Sequence, residues 1–348
     1  MTAHPPPVAD QRGGERASGL ALAGVNPLDY ADEIKALFLA HERVEFPAFF
    51  DRAYPQAVAD GARSWLGRDE RGRLCAHLIS FPRRFRCDRQ TIRGALLGNL
   101  MVATAHRSFW PGLALMRRAV RDLRQSDAAD FVYADPNAAA RSIIQAAGLR
   151  PAGSLRRFLL PVGDRRAGVA LGISVYRLWS RAGSRGARVT VNPTSVEDAM
   201  ALEPPLCGDP MSLRPLRVPA LYAARLAGYP GAADRWYVAR SRGALVGRAL
   251  VRGPDALGRA VLCAWDCEPI AHLASLLVAL GDATRGAGVT RLEVYVMAGS
   301  RAEREFRRAG FLAREERLPV LALGFNEAGS RAVAAAPEWR LLPLDFDR

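Results

Sequence analysis

The chain has 348 residues, of which 49% are hydrophobic, and this length exceeds that of most single domains, so we expect two globular domains. Its net charge of +14 is compatible with a nucleic-acid partner. However, Lys35 is the only lysine and the arginines are spread along the chain, so we expect no nucleic-acid partner and only a mild attraction for anionic substrates. The sequence has no apolar run of the about 20 residues that cross a bilayer and no apolar signal segment at its N-terminus, so the expected location is cytoplasmic.

The N-terminal part is predicted to open with a disordered tail over 1–18, which is rich in proline, glycine and charge. Helical stretches follow around 29–42 and 48–58. Residues 63–67 and 74–85 then have the composition of strands, and a polar turn joins them. This order predicts two helices followed by an antiparallel meander.

The most informative segment begins with the apolar run 94–102, which has the length and the lack of charge of a strand. After a short link, helical spacing begins at Gly112, and Pro111 suits the first helical position, where its missing N–H has no partner to lose. The small residues Gly112 and Ala114 are expected to leave the backbone of the first turn open to a ligand. A strand that leads into such a helix predicts an anion site, typically for a phosphate.

A second strand and a second helix complete this unit. Residues 130–134 have strand composition, and Asn137 suits the start of a helix. The helix itself is predicted over 138–147, with Gly148 as the residue that closes it.

These segments resemble the GCN5-related N-acetyltransferase (GNAT) superfamily. The acyl-CoA loop of that family is roughly Gln/Arg-x-x-Gly-x-Gly/Ala. The segment 109–114 matches its two small positions, with Phe109 at the usually polar first position and Arg107 close by as a source of charge. The next helix of the family carries Asn-x-x-Ala-x-x-x-Tyr-x-x-x-Gly-Phe. The same offsets here hold Asn137, Ala140, Ile144, Gly148 and Leu149. Isoleucine therefore replaces the tyrosine that often protonates the departing thiolate.

The resemblance implies that the chain binds acetyl-CoA or another acyl-CoA as a co-substrate and transfers the acyl group to an amine. It also implies that a backbone N–H of the strand that ends near Val102 stabilises the tetrahedral oxyanion. The residues that it assigns to the cofactor are Leu100, Met101, Val102, Arg107, Phe109, Trp110, Pro111, Gly112, Leu113, Ala114, Asn137 and Ala140.

The catalytic groups are less defined, because the strand 94–102 carries no carboxylate that could act as the base. We expect His106, Asn99 or Tyr133 to take part, with His77 as a further candidate. Each of the first three also has a structural interpretation. His106 would cap a loop, Asn99 would tie the backbone at a bulge, and Tyr133 would belong to the core. Neither the five cysteines nor the five histidines have metal-binding spacing, so we expect no metal and no disulfide framework.

A second copy of the same order is visible farther along the chain. The meander, the strand, the helix and the next strand recur over 236–251, 260–265, 271–281 and 292–296. The offsets of the Asn137 helix recur, with glycine in place of asparagine, at Gly299, Ala302, Phe306, Gly310 and Phe311.

This second copy is expected to bind no cofactor. It lacks a Gly-x-Gly or Gly-x-Ala helix start, and Asp266 and Glu268 stand where they would repel a pyrophosphate. We therefore expect an α/β fold with a mixed (α+β) sheet, built as two tandem GNAT-like domains. The acyl-CoA-binding domain is predicted over 19–162, a linker region over 163–188 and the degenerate domain over 189–348.

Three functions remain open. The first is an acyl-CoA-dependent N-acyltransferase that acts on a small amine or amino sugar. The second is a noncatalytic acyl-CoA sensor or scaffold, which the missing tyrosine and carboxylate favour. The third is an aminoacyl transferase of the FemABX kind, which also has tandem GNAT-like domains but would not need the pyrophosphate loop. The segment 337–347 resembles tails of tandem acetyltransferase-like proteins from bacterial surface-polysaccharide loci, and this suggests a role in surface-polysaccharide metabolism.

Overall fold

One mixed β-sheet with helices on both faces organises the part of the chain that the computed structural model describes, which is residues 16–17, 20–87, 90–163, 189–195, 198–199, 214–215 and 234–341. The strands are β1 (Arg16–Ala17), β2 (Leu20–Val25), β3 (Arg63–Arg68), β4 (Leu74–Cys87), β5 (Gln90–Val102), β6 (Phe131–Ala134), β7 (Arg150–Pro161), β8 (Val189–Thr194), β9 (Arg214–Pro215), β10 (Asp234–Ser241), β11 (Ala244–Arg252), β12 (Arg259–Cys267), β13 (Arg291–Met297) and β14 (Leu312–Gly324). The helices are α1 (Ala31–Leu39), α2 (Phe46–Ala59), α3 (Phe109–Gln125), α4 (Ala138–Ala146), α5 (Leu273–Arg285), α6 (Arg301–Arg308) and α7 (Glu327–Ala334). This architecture confirms the predicted α/β class.

In the first half of the sheet, two neighbouring parallel strands are paired at one end and diverge at the other. β2, β3, β4 and β5 are consecutive antiparallel neighbours. β6 pairs with β5 in parallel, with Gly94 opposite Phe131 and Leu96 opposite Tyr133. β5 continues to Val102, whereas β6 ends at Ala134. A wedge-shaped opening, which we call the first cleft, therefore lies beyond Leu96.

The second half repeats this arrangement. β10, β11 and β12 are antiparallel neighbours, and β12 pairs with β13 in parallel over 259–261 and 291–293. β12 then continues to Cys267, so a second cleft opens beyond Val261. α5 follows β12 as α3 follows β5. The repeat that the sequence predicts therefore has the same strand order in both halves.

The last strands of the two halves are exchanged. The order across the centre of the sheet is β6-β14-β7-β13, so β14 pairs with β6 of the first half and β7 pairs with β13 of the second. Ion pairs from β7 reinforce the exchange, with Arg156 2.8 Å from Glu303 and Arg157 2.6 Å from Glu293. Each half is completed by a strand of the other, and the two form one continuous sheet.

The two faces of the first half bury different helices, because side chains alternate along a strand. Leu96 and Tyr133 pack with residues of α1, α2 and α7, and we call this side the α1–α2 face. Ala95 and Val132 pack with residues of α3 and α4, on the α3–α4 face. Among the described residues, no helix is long and apolar enough to cross a bilayer.

Two details of the sequence analysis need correction. Part of the predicted tail is ordered, since β1 pairs with the start of β2; residues 1–15 and 18 of that tail, and 164–188 of the predicted linker, lie outside the described residues. In the second half, α6 is capped by Ser300, whose Oγ accepts the N–H of Glu303 at 3.0 Å. The cap of α6 therefore lies one residue after the position predicted to match Asn137, because a hydroxyl caps a helix better than glycine does, whereas Gly310 closes α6 with a positive φ as Gly148 closes α4.

Candidate functional site

The closed end of the first cleft is fixed by Asp130, just before β6. Its Oδ2 accepts the backbone N–H of Arg93 at 2.7 Å, and its Oδ1 accepts from Arg93 Nη2 and from Asn326 Nδ2, both at 2.9 Å. Burial raises the pKa of Asp130, but the hydrogen bonds from Arg93 outweigh burial and hold the pKa below its ordinary value. The ionised carboxylate ties β5, the start of β6 and the N-cap of α7 together.

Beyond this end, β5 and β14 face each other across the cleft. The β5 residues 98–102 are half-buried. Leu100 and Val102 pack on the α3–α4 face and Met101 packs on the α1–α2 face. On the opposite side, residues 318–320 of β14 pair with β7 and lie beyond the end of β6. Three of the predicted cofactor-binding residues therefore line one wall of the cleft.

A β-bulge interrupts β5 at Asn99. His77 of β4 is paired with Met101 and Ile79 with Gly98, so two β5 residues face one β4 residue. Asn99 has a left-handed backbone with φ of 53°. Its Nδ2 donates to the hydroxyl of Tyr54 on α2 at 3.2 Å. The geometry of Asn99 is that of a residue that ties the backbone at a bulge.

His77 is fully buried beside this bulge. Its Nδ1 lies 3.1 Å from the backbone oxygen of Asn99, and its Nε2 lies 3.2 Å from Ser64 Oγ. Burial, opposed in part by the hydrogen bond to Asn99, lowers the pKa of His77 to about 4, so the ring is neutral at pH 7. Because a carbonyl oxygen only accepts, the ring proton must be on Nδ1, and the Ser64 hydroxyl donates to Nε2.

Helix α3 begins earlier than the sequence analysis predicts. It starts at Phe109, with Ser108 as an extended N-cap residue (φ −136°, ψ 177°), whereas the sequence favoured Pro111 as the first residue. Serine is a preferred N-cap residue, and Pro111 fits the third position because the helix uses no N–H there. The Ser108 side chain makes no capping hydrogen bond in this described segment. The first-turn N–H groups of Phe109 and Trp110 are therefore available to an anion.

Gly112 does not leave this helix start uncrowded, which corrects the sequence prediction. A Cβ atom on Gly112 would lie 3.1 Å from Ile143 Cδ1 of α4 and 3.7 Å from Leu100 Cδ2. The missing side chain makes room for helix packing, and it also brings α3 against the wall of the cleft. Leu113 is buried, and Ala114 packs against the core of the α3–α4 face. Residues 107–110 are all exposed at this end, among them Arg107, Phe109 and Trp110.

Asn137 and Ala140, two further predicted contacts of the cofactor, form the cap of α4. Asn137 Oδ1 accepts the N–H of Ala140 at 2.9 Å. Ile144, which stands at the position of the family's tyrosine, is buried in the core of the α3–α4 face and has no proton to give. Capping and packing account for this part of the motif.

His106 lies beside the turn between β3 and β4, on the side of β5 away from the cleft. Its Nε2 is 3.9 Å from Asp69 Oδ2, and the donor atoms of Asp69, Cys75 and His106 lie within 4.8 Å of one another. However, the Asp69 carboxylate already accepts the backbone N–H groups of Arg71 and Arg73 and the Arg73 guanidinium. Burial raises the pKa of Cys75, which keeps the thiol protonated. These groups fit a hydrogen-bonded turn better than a metal site.

Tyr133 is fully buried at the closed end of the cleft. Its ring centroid lies 5.7 Å from that of Phe85, 5.9 Å from Phe131 and 6.1 Å from Trp339. This aromatic cluster fills the α1–α2 face below β6, so Tyr133 occupies a core position.

The segment after α7 lies across the second cleft. Arg340 Nη1 is 2.8 Å from Glu268 Oε1 and 3.9 Å from Asp266 Oδ1, at the end of β12, and Arg340 and Glu268 are both buried. Glu338 accepts the N–H of Arg301 at the start of α6, which follows β13. The expected repulsion of a phosphate by Asp266 and Glu268 is therefore corrected. Arg340 and Arg248, whose Nη2 is 4.0 Å from Asp266 Oδ2, offset the two charges, and the chain itself covers the position.

The hydrogen-bond partners of His77 and Glu268 are not evident from the sequence. The sequence offers His77 as a candidate but does not show that Ser64 is its partner. The available signal was the polar Ser64 within an otherwise apolar strand core, because a buried hydroxyl needs a polar partner. The partner of Glu268 could not be found in this way, since Arg340 lies 72 residues away.

Comparison with known proteins places this geometry in a known fold. No protein-family model and no curated protein matches the sequence. A solved structure from Enterococcus faecalis V583, a conserved protein of unknown function named a probable N-acyltransferase, is 12% identical and aligns over 88% of this chain and 73% of its own, with a TM-score of 0.62. A GCN5-related glucosamine N-acetyltransferase region of a fungal multi-domain β-N-acetylglucosaminidase is 11% identical over 91% of this chain and 39% of its own, with a TM-score of 0.55.

A third similar structure has the same tandem organisation. It is a tandem GNAT protein from the clavulanic acid biosynthesis pathway, 16% identical, and it aligns over 88% of this chain and 99% of its own, with a TM-score of 0.53. At these identities the likeness establishes the fold. The chain has the tandem GNAT fold that the sequence resemblance predicts.

Proposed function

We propose that this chain, which has the tandem GNAT fold, is an acyl-CoA-dependent N-acyltransferase with acetyl-CoA as its donor. The observation that carries the proposal is the first cleft. Two parallel strands separate from a fixed end, and the free N–H groups of α3 lie beside the open end. The unpaired edge of β5 offers partners for the amides of a pantetheine arm, and the start of α3 offers partners for a pyrophosphate.

We propose that only some of the predicted cofactor-binding residues contact acetyl-CoA directly. Leu100, Met101 and Val102 contribute the edge of β5, and Phe109 and Trp110 contribute N–H groups. Arg107 is exposed next to them and supplies a positive charge. Leu113 is buried, and Asn137 and Ala140 form the cap of α4, so these three drop from the set of direct contacts. Pro111, Gly112 and Ala114 act by shaping the first turn.

The cofactor, when bound, supplies an acyl group activated as a thioester. The acceptor nitrogen bonds to the carbonyl carbon, the C–S bond breaks, and the proton lost by the amine ends on the thiolate. With Ile144 buried at the position of the usual acid and no carboxylate on β5, the described residues supply positioning and oxyanion stabilisation more clearly than proton transfer.

A small amine or amino sugar is the acceptor class that we propose, within surface-polysaccharide metabolism. One structural neighbour is named a glucosamine N-acetyltransferase region, and this supports an amino-sugar acceptor. The segment 337–347 supports the polysaccharide context, although residues 342–347 of it lie outside the described part of the chain.

The helix start can be tested with a matched pair of substitutions at Phe109. Phe109→Ala and Phe109→Pro both remove the ring, but only proline removes the N–H. Proline is compatible with the first helical position, and the extended backbone of Ser108 suits a residue that precedes proline. We expect Phe109→Pro to bind CoA about 10- to 100-fold more weakly than Phe109→Ala in calorimetry, the loss of one charge-assisted hydrogen bond. Equal affinities would remove the Phe109 N–H from the site.

Stoichiometry and turnover test the rest of the proposal. Calorimetry should give one CoA per chain, because Arg340 and the segment after α7 cover the second cleft. Thiol release from acetyl-CoA should then depend on an added amine, with glucosamine included in the panel. Two bound CoA molecules would contradict the closed second cleft, and no bound CoA would contradict the proposed function.

A noncatalytic acyl-CoA sensor is the second candidate, and the burial of Ile144 at the position of the proton donor favours it. CoA binding without thiol release across the amine panel would select this alternative. None of the described residues favours the FemABX-like aminoacyl transferase, which would not need the free start of α3.

A further inference from the structure

His77 reaches the first cleft only through the backbone of β5. Its Nδ1 donates to the Asn99 carbonyl at 3.1 Å and its Nε2 accepts from Ser64 at 3.2 Å. Phe38 and Tyr54 pack on the ring, with centroid distances of 5.6 and 6.2 Å. The ring is therefore held in one orientation and in one tautomer, with two polar partners and two aromatic ones.

The hydrogen bond from His77 sets the direction of the following amide. In a trans peptide the C=O and the N–H point in opposite directions. His77 lies on β4, so the Asn99 carbonyl points toward β4. The Leu100 N–H belongs to the same peptide plane and points to the other flank of β5. That flank is the first cleft, since pairing of β5 with β6 ends at Leu96.

The bulge makes this peptide orientation possible. In a regular strand the carbonyl of a residue lies in the plane of the sheet, where a neighbouring strand binds it. At the bulge the left-handed backbone of Asn99 breaks the regular pairing with β4, and the His77 side chain of β4 binds the Asn99 carbonyl instead. A bulge next to a functional opening is a common way to redirect one backbone group.

We propose that His77 is a positioning residue for acyl transfer, which aims the Leu100 N–H at the oxygen of the thioester carbonyl. This inference rests on the proposed function. Negative charge develops on that oxygen as the amine nitrogen bonds to the carbonyl carbon. The hydrogen bond from Leu100 strengthens as the charge grows, so its direction affects the transition state more than the binding of acyl-CoA.

Substituting His77 by asparagine or by glutamine tests its two hydrogen bonds one at a time. Asparagine places an N–H donor near the position of Nδ1 but does not reach Ser64. Glutamine reaches the position of Nε2 but leaves the Asn99 carbonyl without its donor. Both replace a buried ring by a buried amide, so His77→Asn and His77→Gln are matched controls for lost packing. Thermal denaturation checks that both variants are folded.

The measurement is kcat and KM for acetyl-CoA with the acceptor amine at saturation. We expect His77→Gln to lower kcat about 100-fold, the effect of losing one oxyanion donor, with KM for acetyl-CoA within about threefold. His77→Asn should keep kcat within about tenfold of the natural protein. Equal kcat values in the two variants would overturn the inference. A natural protein without any acyl transfer would instead overturn the proposed function.

The tautomer gives a second test that does not depend on the variants. Nitrogen-15 NMR of the His77 ring distinguishes a proton on Nδ1 from a proton on Nε2. We expect the Nδ1–H form between pH 6 and 8, as the bond to Asn99 requires. The Nε2–H form would overturn the inference, because that ring could not hold the Asn99 carbonyl.

Discussion

The burial of His77 predicts a specific loss of stability in acid. Burial lowers the pKa of His77 from 6.5 to about 4, so the unfolded chain takes up this proton before the folded chain does. The contribution of His77 to stability is therefore complete above pH 6.5 and is lost as the pH falls toward 4. The difference between a pKa of 6.5 in the unfolded chain and about 4 in the folded chain corresponds to roughly 3 kcal/mol.

Urea denaturation at a series of pH values measures this contribution. The free energy of unfolding of the natural protein should fall more steeply than that of His77→Asn, which does not titrate. Relative to pH 7.5, the natural protein should lose about 2 kcal/mol more of its free energy of unfolding than His77→Asn at pH 5, and about 3 kcal/mol more at pH 4. The carboxylates titrate in both proteins and cancel in the comparison. Parallel curves between pH 7.5 and 4 would refute the reasoning, because they would show that His77 takes up its proton as easily in the folded chain as in the unfolded one.

Three further predictions follow from buried or exposed groups. Arg340→Leu should lower the free energy of unfolding by about 3–5 kcal/mol, because it removes the guanidinium that pairs with the buried carboxylate of Glu268, and adding Glu268→Leu should recover most of this loss; a loss below about 1 kcal/mol would argue against a buried pair. Asp130→Asn should cost about 1.5–3 kcal/mol in urea denaturation at pH 7. The pKa of Asp130 is lowered in the folded chain, so the extra stability of the natural protein over Asp130→Asn should be lost as the pH falls below 3.8 and through the pKa of folded Asp130. If the two proteins still differed in stability below that pH, Asp130 would not be the ionised anchor described here. Trp110→Ala keeps the backbone N–H and removes only an indole that is 61% exposed beside the start of α3. It should weaken CoA binding about tenfold by calorimetry, as expected for the loss of one aromatic contact with the base of CoA, and leave the free energy of unfolding within about 0.5 kcal/mol; unchanged affinity would exclude the Trp110 side chain from the site.

The sequence predicts most of the local structure of this chain, because local structure depends on local patterns. The run 94–102 appears as the second part of β5, and the spacing after Gly112 appears as α3. The strand order of the second half follows from its likeness to the first. The exchange of β7 and β14 could not be predicted in this way. Arg156 and Arg157 of β7 pair with Glu303 and Glu293 of the second half, but these partners lie 147 and 136 residues away, so no local pattern identifies them.

The candidate site is predicted less completely, because the same residue type serves two physical purposes. A glycine near a helix start admits a ligand or a neighbouring helix, and at Gly112 the side chain of Ile143 takes the space. An asparagine before a helix contacts a cofactor or caps the helix, and Asn137 caps α4. His106 shows a related difficulty. His106 comes just before the expected anion loop in the sequence, which predicts a place in the first cleft. In the structure it lies instead beside Asp69, in the turn between β3 and β4.

The exchanged strands give the second half a physical role in the first cleft. β14 pairs with β6 up to Leu321, opposite Ala134, and its preceding residues 318–320 continue past the end of β6. They form the wall that faces β5 across the opening. Asn326, which follows β14, also completes the hydrogen bonds of Asp130 at the closed end. The second half therefore has its own cleft covered by Arg340 and, at the same time, supplies one wall and one anchor of the cleft that we propose as the site of acyl transfer.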